Sequence, residues 1–278
     1  MRKIVLTQEQ TTDIINLYQI ERCSITKIGA RYGVSKHVIS RVLRENSIEI
    51  RKDNHKYQAD YRIFETIDSS EKAYWLGFIA ADGCVYERKD NTKAGNLMII
   101  NISRKDKEHL IKFQNFMKSN VPIIDHIQDA GFSNNTEMSK ITFNSNDMVN
   151  DLKSIGIVPR KSLILDIPKI DSSLYLPFIL GYFDGDGSIF KGNQYNNYGM
   201  NIEGTSEILN WINSLLNIST HLEKRKNDQK NNYYIRCGGT NKPYNIMKKL
   251  YDSCPVHLDR KYKIFKELEI VVLNSNIK

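Results

Sequence analysis

One phrase occurs twice in this chain of 278 residues, as Trp75-Leu76-Gly77-Phe78-Ile79-Ala80-Ala81-Asp82-Gly83 and again as Ile179-Leu180-Gly181-Tyr182-Phe183-Asp184-Gly185-Asp186-Gly187. Each copy is an apolar run of helical character that ends in an Asp-Gly pair. Residues four apart share one helix face, so Gly77 with Ala81, and Gly181 with Gly185, form strips nearly without side chains. Two such strips let helix backbones approach closely. The repeat therefore predicts two half-domains related by a pseudo-twofold axis, each supplying one carboxylate to a shared site.

The flanking sequence repeats as well. Alternating segments follow each Asp-Gly, around Cys84–Glu87 and Leu97–Ser103, then Ser188–Lys191 and Tyr198–Glu203. An amphipathic helix comes next in each copy; Leu110, Phe113, Phe116 and Met117 match Leu209, Ile212, Leu215 and Leu216. Further strands are expected around Ile123–Gln128 and Lys140–Asn144, and around Thr220–Lys226 and Asn232–Cys237. Helices capped by Ser145 and Thr240 close the sets. Period-2 strands beside one-sided helices argue for an α+β fold, with αββαββα occurring in tandem at residues 71–170 and 171–278.

Ahead of the repeat, residues 1–52 read as a small all-α domain of three helices. Ser24 and Ser35 are candidate caps, and Gly33 permits the left-handed turn of a tight helical corner. This pattern resembles the helix-turn-helix DNA-binding module. Its third helix leaves Ser35, Lys36, His37, Ser40, Arg41 and Arg44 outside, the small, polar and basic set that major-groove insertion requires. The alternative is a packing unit with a solvated basic face. Residues 53–70, polar and weakly periodic, read as a linker.

The formal charge of +8 favours a polyanionic partner, and residues 1–62 carry 12 Lys or Arg against 7 Asp or Glu. Cys23, Cys84, Cys237 and Cys254 are scattered, which argues against a disulfide framework or zinc site. No stretch reaches the roughly 18 apolar residues of a membrane span, and no secretory leader is recognisable. A soluble intracellular protein is expected, in a bacterial or phage-infected cytoplasm or an organelle matrix.

Asp82 and Asp186 each fall at the carboxyl end of a helix, where the macrodipole disfavours a carboxylate by roughly 0.3–1 kcal/mol. Side by side they would also repel each other. A divalent cation reverses both penalties, and Mg2+ (or Mn2+) suits one or two carboxylates with water and phosphate oxygens. Such a centre could activate water against a phosphodiester. The alternative for either motif alone is an ordinary Asp-Gly turn. A calcium-loop reading from Asp184 fails, because Ile189 and Tyr195 stand where that loop needs glycine and an acidic side chain.

These residues resemble the LAGLIDADG homing endonucleases in their single-chain, two-motif form, over about residues 74–272. The resemblance implies two antiparallel sheets lying on double-stranded DNA, the motif helices as the central interface, and metal-dependent cleavage of both strands by a monomer. It makes Asp82 and Asp186 the catalytic, metal-binding carboxylates, with Gly83 and Gly187 in the metal site. It also points to a lysine late in each half, here Lys161 and Lys261, to polarise water or stabilise phosphate charge. Arg160 and Arg260 beside them are candidate phosphate contacts.

Ala80 stands where the family often has an acidic residue, filled by Asp184 in the second motif and expected to be peripheral. Outward strand residues, among them Tyr86, Arg88, Asn101, Asn144, Lys191, Asn193, Arg225 and Arg236, are candidates for base contacts. Two other functions stay open at this point: a transcription regulator on the same scaffold, and an RNA maturase assisting intron splicing. The helix-turn-helix favours duplex DNA, since A-form major grooves do not admit a helix.

Overall fold

The computed structural model describes residues 6–21, 23–50, 55–88, 95–130, 133–192, 197–224 and 231–275. They fall into two compact units, residues 1–59 with 118–120, and residues 60–117 with 121–278.

The first unit holds three helices, α1 (Gln8–Gln19), α2 (Ile25–Arg31) and α3 (Lys36–Glu45). Thr7 and Gln10 form a reciprocal capping box at the head of α1. Ser24 caps α2 through the Lys27 amide, whereas Ser35 occupies the cap position of α3 without a capping bond. Between α2 and α3, Gly33 has φ +64°, the left-handed corner expected. Ile14, Leu17, Tyr18, Ile28, Ile39, Val42 and Leu43 form its core.

The second unit contains both repeats. Its first half runs α4 (Ser70–Asp82), β1 (Gly83–Tyr86), β2 (Leu97–Ser103), α5 (Lys107–Phe116), β3 (Ile124–Ala130), β4 (Ser133–Asn144) and α6 (Asn146–Ile155). Its second half runs α7 (Tyr175–Asp186), β5 (Gly187–Lys191), β6 (Tyr198–Gly204), α8 (Ser206–Leu216), β7 (Glu223–Lys224), β8 (Tyr233–Gly239) and α9 (Asn241–Tyr251). The order αββαββα thus occurs twice. An additional helix, α10 (Asp259–Ser275), closes the chain and buries Phe265, Leu268 and Val272 at helical spacing.

Each half builds one antiparallel four-stranded sheet, in the orders β1-β2-β4-β3 and β5-β6-β8-β7. Strand β2 alternates buried and half-buried positions, sending Met98, Ile100 and Ile102 to the helix-packed face and Leu97, Ile99, Asn101 and Ser103 to the other. Strand β4 reaches well beyond the expected Lys140–Asn144. Its outer part, rich in Ser, Asn and Thr, pairs only with β3 as a hairpin, so no apolar alternation marks it in the sequence.

The segment expected to be linker is not uniform. Residues 60–69 belong to the second unit, where Ile63 and Phe64 are buried. Arg62 pairs there with Asp151 at 3.3 Å and with Glu65. Ser145 caps α6 through the Met148 amide, while Thr240 holds the cap position of α9 without a capping bond.

Candidate active site at the ends of the paired helices

Helices α4 and α7 meet along the two small-residue strips. A Cβ on Gly77 would stand 1.9 Å from the Phe178 carbonyl oxygen, and one on Gly181 would stand 1.9 Å from that of Tyr74. A Cβ on Gly185 would lie 2.3 Å from the Ala81 methyl and 3.4 Å from the Asp82 carboxyl carbon. Only glycine fits these three positions, and the fit brings the carboxyl ends of both helices together. Gly83 and Gly187 have extended backbones, with φ of −76° and −101°. They are glycine because a Cβ would strike the Ile79 or Phe183 carbonyl at 2.6 Å as helix turns into strand, not because a left-handed stop is needed.

Asp82, half-buried, and Asp186, exposed, end the two helices at this junction. Burial pushes the Asp82 carboxyl above its ordinary value, opposed by the Lys261 and Lys161 ammonium groups. Asp186 is pushed to about 7 by burial first and by the Asp82 charge second, against the pull of Lys161 and Lys261. The Tyr182 hydroxyl donates to the Glu203 carbonyl at 3.0 Å. Burial and the neighbouring Asp186 hold that phenol well above its usual range. Tyr182 was not among the expected site residues; its place inside the motif made it look like core.

Both lysines converge on this junction, but their geometry changes their expected role. Lys161 donates to the carbonyls of Ala81 at 3.2 Å and Gly83 at 2.5 Å. Lys261 donates to Phe183 at 2.6 Å, Asp184 at 2.8 Å and Gly187 at 2.5 Å. Each ammonium therefore binds carbonyls at the end of its own motif helix, of which Phe183 also accepts the Gly187 amide. The chain itself thus supplies part of the positive charge that the helix ends and the carboxylates demand. Burial lowers both lysines, Lys261 to about 8. An ammonium has three donors: Lys261 spends all of them on the helix end, and Lys161 keeps one.

This arrangement corrects the metal assignment at the glycines. The carbonyl oxygens of Gly83 and Gly187 already accept a lysine ammonium, whose charge would repel a cation at the same oxygen. The donor set left for a divalent ion is the carboxylate pair. Desolvation raises both carboxyls and the Asp82 charge adds to the rise at Asp186, so two carboxylate donors meet at one junction, a donor set that fits such an ion. Among the described residues, no group of three or more His, Cys, Asp or Glu could form another metal site.

Among the other expected site residues, Ser35, Lys36, His37 and Arg44 are exposed on α3, with Ser40 and Arg41 half-buried. Tyr86, Asn101 and Asn144 lie on the outer face of the first sheet by register, the Asn101 side chain 3.0 Å from Gln128. Arg88 is exposed just past β1, and Arg160 is exposed with φ +58°. Arg236 lies on the outer face of the second sheet, opposite Asn201, and pairs with Glu223 at 2.8 Å.

Lys191 is a correction. It pairs with Tyr198 and shares the parity of buried Ile189, so it belongs to the helix-packed side, and Phe190 takes the outer face instead. Arg260 is engaged by a bidentate pair with Asp106, at 3.1 and 3.0 Å. Arg225 and Asn193 lie outside the described residues.

Residues 173–242 match the family model described as a LAGLIDADG-like domain. Among solved structures, a single-residue variant of I-SmaMI is 12% identical, with a TM-score of 0.50 over 73% of this chain and 92% of its own. The I-LtrWI LAGLIDADG homing endonuclease bound to target DNA is 12% identical, with a TM-score of 0.49 over 78% and 92%. The LAGLIDADG meganuclease I-AabMI bound to uncleaved DNA is 13% identical, with a TM-score of 0.46 over 73% and 91%. No curated protein matches the chain significantly. The repeated core is an α+β structure of two antiparallel four-stranded sheets with the LAGLIDADG endonuclease fold. No helix among the described residues is long and apolar enough to cross a membrane.

Proposed function

We propose that the protein is a site-specific double-strand DNA endonuclease that hydrolyses phosphodiester bonds with a divalent cation, Mg2+ or Mn2+. The observation that carries this reading is the pair Asp82 and Asp186, brought together at adjoining helix ends, half-buried and exposed respectively, and attended by two buried lysines. A cation bound by those carboxylates would supply an activated water and offset charge on the scissile phosphate.

The chain's own residues set the stage for that chemistry. The glycine contacts fix the separation of the two helix ends, and the lysines hold their carbonyls in place. Asp82 and Asp186 are the residues that would hold such an ion, and its charge would lower the proton affinity of both carboxyls. Lys161 retains one N–H for a phosphate oxygen or a water, whereas Lys261 acts through its charge.

Several features support DNA as the substrate. The net charge is +8. Each sheet leaves one face to polar and aromatic side chains, including Tyr86, Asn101 and Lys140 on one and Asn201, Tyr234 and Arg236 on the other. The helix-turn-helix pattern of the first unit, with Lys36, His37 and Arg44 exposed, supports a second DNA contact. Phosphate-contacting arginines are proposed at Arg88 and Arg160.

The test is cleavage selection on a randomised duplex library with Mg2+. Recovery of one long recurrent site cut on both strands supports the proposal. Retention of duplex without cutting would instead favour a DNA-binding regulator.

A further inference from the structure

Asp184, expected to be peripheral, is almost fully enclosed at 2% exposure. Its Oδ2 accepts two hydrogen bonds, from the Tyr74 hydroxyl at 2.7 Å and from the Leu258 amide at 2.7 Å. Tyr74 belongs to α4, in the other half, and its hydroxyl lies 3.0 Å from His109 Nε2 on α5. Leu258 stands at the head of α10, and its carbonyl accepts the amides of Lys261 and Tyr262, both at 3.0 Å. A carboxylate bonded to an amide at the head of a helix is a strong, charge-assisted anchor. A continuous path of bonds thus runs from α5 through α4 and α7 to the turn that carries Lys261.

The same turn is held from the first half at two more points. Asp106 takes Arg260 with two bonds. Lys112 donates to Asp259 at 2.6 Å and to the His257 carbonyl at 3.1 Å. The place of Asp184 on α4 is taken by Ala80, which has no side-chain acceptor. Residues after Lys161 are tied differently, through Thr205 to the Leu165 carbonyl and Asn231 to the Leu163 carbonyl.

We propose that Asp184, with Tyr74, is a positioning residue that sets Lys261 against the end of α7, so that the two half-sites are unequal and the two DNA strands depend on it to different degrees. The inference rests on the nuclease reading. Asp184 meets no reacting atom; it acts through Leu258 and the first turn of α10. Because both donors converge on one oxygen, an asparagine carbonyl can accept both bonds, while leucine of similar size can accept neither.

The test follows each strand of an end-labelled target duplex separately, using full-length protein and Mg2+. Asp184→Leu should slow one strand about tenfold or more relative to the other, the order expected when a supporting group is displaced. Asp184→Asn should keep the wild-type strand ratio, and Tyr74→Phe should shift it in the direction of Asp184→Leu by a smaller factor. Strand rates that fall together, in proportion to the folded fraction, would overturn the proposal.

Amide hydrogen exchange supplies a readout independent of cleavage. Exchange over residues 257–262 should quicken in Asp184→Leu and Tyr74→Phe but not in Asp184→Asn, with α4 unchanged. Unchanged exchange in that segment would refute the anchor. A wild-type protein that cuts no duplex would refute the nuclease reading instead, leaving the anchor to be decided by exchange. If Asp184→Leu does not fold, Tyr74→Phe carries both measurements.

Discussion

Gly181 lies so close to Tyr74 that a single methyl group on it would stand 1.9 Å from the Tyr74 carbonyl oxygen. The neighbour is backbone at the centre of a helix, which cannot swing aside. Gly181→Ala should therefore force the helices apart and destabilise the second unit by at least about 1–3 kcal/mol, the range for overpacking. Denaturant unfolding measures this. Wild-type stability in the variant would mean that the helices are not packed this closely.

The lysine clamps differ in the number of carbonyls they serve. Lys261→Met removes three charge-assisted bonds, leaving the Phe183 carbonyl with only the Gly187 amide, and Lys161→Met removes two. Each unmet buried acceptor costs about 1–3 kcal/mol, less what is regained by removing a buried charge. Lys261→Met should thus lower the melting temperature more than Lys161→Met does. The reverse order would show that the clamps are not what the lysines contribute.

Asp186 keeps its proton up to about 7, against 3.8 for an ordinary aspartate. A folded pKa above the unfolded one means that the native state binds the extra proton between those values. Its contribution to stability is full below 3.8 and is lost as the pH rises through about 7. In the absence of divalent ions, wild-type protein should therefore lose stability relative to Asp186→Asn as pH rises across that window. Parallel melting curves would contradict it. The same proton competes with a cation, so Mg2+ affinity should increase with pH through about 7.

In the first unit, Lys36 and Arg44 are exposed on α3. Replacing both by glutamate should weaken duplex binding and reduce the slope of log affinity against log salt by about 2, one for each lost phosphate contact. Titrations at several salt concentrations read this directly. An unchanged slope would return the unit to a packing role.

The doubled phrase made the paired helices legible because close approach admits so few residue types at Gly77, Gly181 and Gly185. Asp82 and Asp186 were legible for the same reason, their positions being fixed by the phrase. Lys161 and Lys261 were singled out by the family resemblance, which points to a lysine late in each half, but their bonds to helix carbonyls could not be foreseen, since those partners lie 74 to 80 residues away. Asp184 was misjudged because its value depends on Tyr74, 110 residues distant, and on one backbone amide of α10. Phe64 was hidden in a polar stretch that alternation cannot describe. Lys191 was assigned to the wrong face because the strand ends there and solvent, not packing, surrounds its side chain.

The proposed nuclease activity requires Asp82 and Asp186 to act together in hydrolysis. Its most direct test is cleavage of a plasmid carrying the selected target, with Mg2+, by Asp82→Asn and by Asp186→Asn, alongside duplex binding. Each variant should bind with near wild-type affinity and lose double-strand cleavage by about 100-fold or more. Linearisation of the plasmid at the wild-type rate by either variant would contradict the account.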